Sequence, residues 1–109
     1  MATFIQDGDS LDYTPGADVA AGAVVVQNDL IGVVKRAIPA NTLGSLVVEG
    51  VFDFPKATGG GTAIAAGATV YWNAVAQQAT TTSAGNKLLG KTSKAAADAD
   101  ATVRVRLSQ

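Results

Sequence analysis

At 109 residues, with 48% hydrophobic but only 16% charged side chains and a net charge of -1, the chain can bury one modest core. It is too short for the repeated strand-helix-strand units of most nucleotide-hydrolysing folds. The near balance of 8 basic and 9 acidic residues argues against nucleic acid or an anionic membrane as partner, and the absence of Cys and His excludes disulfides, thiolate metal sites and His-dependent triads.

Apolar runs are short, rich in Val and Ile, and bounded by Gly, Pro, Asn and Asp, which predicts a mainly β domain with little helix. In chain order, strands are expected at Thr3 to Gln6, Leu11 to Thr14, Ala23 to Gln27, Ile31 to Arg36, Ser45 to Phe54, Thr69 to Asn73, Ala76 to Thr81, Lys87 to Thr92 and Thr102 to Leu107. The first would be an N-terminal arm. Asn28-Asp29 falls where a two-residue hairpin turn belongs, because both residues tolerate left-handed backbone angles. Gly59-Gly60-Gly61 costs entropy to order and marks a loop after Phe54-Pro55-Lys56. In the last strand Val103, Val105 and Leu107 face one way and Arg104 and Arg106 the other.

Two halves resemble each other across that loop. Ala20-Ala21-Gly22-Ala23-Val24-Val25 recurs 45 residues later as Ala65-Ala66-Gly67-Ala68-Thr69-Val70, each a Gly turn launching a strand. Leu30-Ile31-Gly32-Val33-Val34 matches Leu88-Leu89-Gly90-Lys91-Thr92, and Ser45-Leu46-Val47-Val48 matches Thr102-Val103-Arg104-Val105. The expected organisation is a single domain over 1–109: arm and first hairpin in 1–14, one repeat half in 15–56, the other in 62–109. A small pseudo-symmetric barrel or sandwich of antiparallel strands would hold it.

Residues 85–92 read Gly-Asn-Lys-Leu-Leu-Gly-Lys-Thr, a full match to the phosphate-loop pattern, whose chemistry needs a buried strand, a Gly-rich cradle of N–H groups and a helix start. The surroundings argue against it. Thr80-Thr81-Thr82-Ser83-Ala84 is polar where a buried strand should enter. Gly90, as the counterpart of Gly32, would lie inside a strand, with Lys91 a surface charge.

Other candidates are thinner. Asp7, Asp9 and Asp12 around Gly8 lack the ligand order of a calcium loop and read as a solvated turn. Glu49 and Asp53 flank Val51 as solvent-face acids. The serines have no His to activate them. Tyr71-Trp72 places neighbouring aromatics on opposite sheet faces, one for the core, the other a subunit contact or a ligand-stacking platform. No catalytic residue, cofactor, metal or small-molecule substrate is expected, and no leader or membrane span is visible. So low a charge content leaves a surface that is covered or merely neutral, and cover by oligomerisation or docking is the expectation.

The order of the segments Thr3 to Gln6, Leu30 to Val33, Val48 to Lys56, Ile64 to Trp72 and Val103 to Leu107 resembles the bacteriophage capsid cement, or head decoration, family across nearly the whole chain. Some members carry a recombinase label, which nothing here but the phosphate-loop match supports. The resemblance implies a β-rich virion protein, made in the host cytoplasm. It would add to the outside of an expanded head, clamp major capsid protein subunits and commonly form homotrimers. On that reading Thr3, Phe4, Ile5 and Gln6 are the capsid-binding arm, unless they close the domain's own barrel, and Tyr71 and Trp72 supply a subunit contact. A glycan-binding adhesion module is the alternative function, and a nucleotide-binding recombination protein a remoter one.

Overall fold

The computed structural model describes residues 2, 3 and 9–108. Among them the short Val-rich runs form nine strands and no helix: β1 Ser10–Tyr13, β2 Val24–Gln27, β3 Leu30–Val33, β4 Gly44–Val47, β5 Gly50–Pro55, β6 Thr69–Asn73, β7 Gln78–Thr80, β8 Lys87–Thr92 and β9 Thr102–Leu107. They build two antiparallel sheets, ordered β1-β4-β3-β2 and β5-β9-β8-β6-β7, a sandwich rather than one closed barrel. The second sheet curls until its edges meet at a single parallel bridge between Lys56 and Ala79.

The two sheets repeat one hydrogen-bond pattern. Gly22 N donates to Val34 O at 2.6 Å and Gly67 N to Thr92 O at 2.8 Å; Val34 N donates to Ala23 O at 3.0 Å and Thr92 N to Ala68 O at 2.9 Å. The isolated bridges Val19↔Ile38 and Ile64↔Ala96 match in the same way. Gly22 and Gly67 take φ of 86° and 77°, which glycine adopts without the Cβ penalty. Thus β2, β3, β4 and β1 correspond to β6, β8, β9 and β5. In the return strand the ladder pairs Val33 with Val47 and Lys91 with Arg106. Arg106, and not Arg104, is therefore the counterpart of Val47. The two-residue slip keeps every side chain on its face.

One expected strand is two. Ser45 to Phe54 reads as a continuous alternation, but the chain leaves the first sheet after Val47, turns at Gly50 (φ 144°) and enters the second as β5. The Ala76 to Thr81 strand shrinks to Gln78–Thr80. Asn73 Oδ1 accepts from Val75 N and Ala76 N, both at 3.0 Å, and this Asx turn occupies the residues before it. Of the expected arm, Thr3 is exposed and outside any strand; Phe4, Ile5 and Gln6 lie outside the described residues.

Two apolar clusters hold the sandwich. The larger joins Phe54, Val70, Trp72, Leu89, Val103, Val105 and Leu107 of the second sheet to Ile31 and Val33 of β3. The smaller, Val34, Ile38 and Leu46, lies against the other face of the first sheet, with Tyr13, Val19, Val25 and Val48 only partly buried around it. β3 is therefore covered on both faces, which is why its LIGV sequence carries no polar residue.

Candidate interaction surfaces

The phosphate-loop match lies in β8. Gly85 ends the preceding turn at φ 75°, Lys87–Thr92 run as a strand, and the chain then crosses to the Ala96 bridge with no helix to receive a phosphate. Lys91 is exposed. Thr92 is buried, its Oγ1 donating to Ala65 O at 2.6 Å and accepting from Ala68 N at 3.0 Å. That hydroxyl pins the Gly67 turn to the strand. Gly90 is glycine for backbone clearance: a Cβ there would fall inside the contact distance of the Arg106 carbonyl oxygen and reach 3.0 Å from Ser108 N. Between Val70 and Tyr71 the register shifts, leaving Leu89 as the extra residue of a bulge that turns it into the core.

The aromatic pair divides as period-two geometry requires. Trp72 is 2% exposed and packs against Phe54, ring centroids 5.9 Å apart and planes inclined at 60°. Tyr71 is half-buried on the outer face, opposite Leu88 of β8. The acids flanking Val51 are ion-paired with β9. Asp53 accepts from Arg104 Nε at 3.0 Å and Nη2 at 3.3 Å, and Glu49 lies 3.7 Å from Arg106. The hydrogen bonds from Arg104 hold the Asp53 carboxyl below its ordinary value against an opposing effect of burial, and raise the guanidinium in return. At the sheet junction Lys87 Nζ donates to Asp29 at 2.7 Å, lowering that carboxyl too.

Asp9 is exposed, Asp12 lies on β1, and Asp7 and Gly8 are outside the described residues. No three acids among the described residues gather where a metal ion could sit.

Three features escape the sequence reading. Val51 and Leu88 are 57% and 41% exposed on the outer face of the second sheet. There a shallow pocket of about 260 Å³ is lined by Thr69, Leu88, Gly90, Lys91, Arg106 and Ser108. On the first sheet an open groove of about 640 Å³ runs past Asp12, Lys35, Arg36, Pro39 and the exposed Leu43. Lys56, charged yet buried beneath the Gly59–Gly61 loop, donates to Ala57 O at 2.7 Å and to Thr62 Oγ1 at 3.3 Å. Its place after Phe54-Pro55 gave no local signal of burial. The Leu88-Leu89 pair did carry one for Leu88, since adjacent strand residues cannot both face the core.

Two packed antiparallel sheets, with Thr92 committed to a turn and Glu49 and Asp53 to surface ion pairs, define a structural β-sandwich. The family model of phage cement proteins matches residues 5–107, and the chain belongs to that family. Its role is that of a structural protein associated with the phage capsid, in a family that is not one of enzymes. No curated protein and no solved structure matches it.

Proposed function

We propose that the protein binds the outer surface of the expanded phage capsid as a homotrimer and bridges neighbouring major capsid protein subunits. The family match over nearly the whole chain carries this reading. The exposed Val51 and Leu88 beside paired charges support it, since such a face is suited to burial between neighbours. Tyr71, next to Leu88, is the subunit contact. The segment Thr3, Phe4, Ile5 and Gln6 is an arm that adds as a strand to a neighbouring sheet edge.

The mechanism is linkage. Packaged DNA presses the shell outward, and a ligand that binds only the expanded lattice stabilises that lattice by its binding free energy, about 2.7 kcal/mol per site at a hundredfold excess over Kd. Purified protein added to shells that lack it should bind saturably to expanded but not to immature shells and raise their bursting temperature. Binding to neither form would refute the proposal.

A further inference from the structure

We propose that the outer edge of β2 accepts an extended strand, and that this strand is the segment Thr3–Gln6 of a second copy of this chain. The inference rests on the oligomer proposed above and names the contact that closes it.

The molecule itself shows what belongs on that edge. In the second sheet β6, the counterpart of β2, carries β7 on its outer side, with Tyr71↔Thr80, Trp72↔Ala79 and Asn73↔Gln78 in register. That strand comes from the long excursion between β6 and β8, where the first half has only Asn28 and Asp29. Among the described residues the first sheet lacks that final strand: the counterparts of Tyr71, Trp72 and Asn73 are Val26, Gln27 and the turn residue Asn28, and β2 is left as an edge.

The edge is also unguarded. Val24-Val25-Val26-Gln27 holds no charge and no Pro, its pairing to β3 runs without a bulge, and Val26 is 36% exposed. Natural edges that stay free carry such guards. Because Val34 N donates to Ala23 O, the alternation of the ladder turns the backbone groups of Val25 and Gln27 toward β3 and those of Val24 and Val26 outward. Inside the second sheet Trp72 fills the core under β7; the equivalent position of β2 is Gln27, which is exposed. Val25, on the same face of β2, is only partly buried.

The sequence Thr-Phe-Ile-Gln suits the vacancy. In an added strand Phe4 and Ile5 fall on opposite faces, one toward the Val25 side and the other toward Val26, with polar residues at both ends. The donor must be another molecule. A strand beyond β2 lies four interstrand spacings from β1, about 19 Å along the sheet, whereas Gln6 is four residues from Ser10, a reach of at most about 14 Å. Donor and acceptor patches differ, so the contacts close either as a reciprocal two-fold exchange or as a head-to-tail ring, and the trimer proposed above is the ring.

The test is the solution mass of the full chain, by sedimentation velocity, for wild type, Val26→Pro and Phe4→Asp. Proline at position 26 removes an outward N–H and spares the β3 ladder; Val26→Lys serves as a second edge variant if the first misfolds. Wild type should be a closed oligomer, and each variant a folded 10.9 kDa monomer. An equimolar mixture of edge and arm variants should form one-to-one heterodimers, since one supplies the arm and the other the edge. Variants that keep the wild-type mass overturn the proposal. So does a monomeric wild type whose shell binding is lost with Val26→Pro, which assigns the edge to a capsid strand. A wild type that exchanges arms yet binds no shell refutes only the cement role.

Discussion

Gly90→Ala separates a strand glycine from a phosphate-loop glycine. The added methyl meets the Arg106 carbonyl oxygen well inside the 3.0 Å that real Cβ atoms keep, and that oxygen is backbone, with no rotamer to relieve it. β8 and β9 would have to separate, loosening the Ser108 N to Leu89 O bond of 2.9 Å and the Gly90↔Leu107 pairing. Overpacking of this kind costs about 1–3 kcal/mol, and an L-residue at φ 156° adds about 1–3 kcal/mol of strain. The sum, roughly 3 kcal/mol or more, lowers Tm by on the order of 10–20 °C for a domain near this size. Thermal unfolding at matched protein concentration reads it directly, with Lys91→Ala as the control: that exposed side chain should change stability by less than about 0.5 kcal/mol. A Gly90→Ala protein that melts within a few degrees of wild type would show that β8 and β9 do not approach as described.

Thr92→Val should cost about 1–2 kcal/mol in chemical denaturation without any added nucleotide, because it leaves the Ala65 carbonyl and the Ala68 amide with only their long 3.4 Å bond to each other; an unchanged midpoint would contradict the pinned turn. Trp72→Ala should lose about 3–5 kcal/mol as a core truncation. Tyr71→Ala should leave the melt within about 1 kcal/mol while weakening assembly measured by sedimentation. The reverse ranking would place the wrong aromatic in the core. Asp53 has its carboxyl depressed by Arg104 below the ordinary 3.8, so its stabilisation is complete above that value and fades as pH falls through the depressed one. The Tm gap between wild type and Asp53→Asn should therefore be small at neutral pH, both side chains being about half exposed, and should close in acid. A gap that widens in acid would reverse the assigned sign.

The local code of this chain determined its turns and its repeat. Gly22 and Gly67, Asn28 and the polar flanks of each Val-rich run act within a few residues, so three of the nine strands, at Thr69–Asn73, Lys87–Thr92 and Thr102–Leu107, carry the bounds their residues suggest, and the phosphate-loop match could be recognised as a strand from its counterpart around Gly32. Tertiary structure decided what local pattern cannot encode. Period two says that Tyr71 and Trp72 part company, but only the packing against Phe54 says which goes inside. The alternation from Ser45 to Phe54 runs straight through the point where the chain changes sheets, because a strand's face pattern is the same whichever neighbour it pairs with. Gly90 looks like any strand glycine until Arg106 is brought against it, and the open edge of β2 is visible only beside the covered edge of β6.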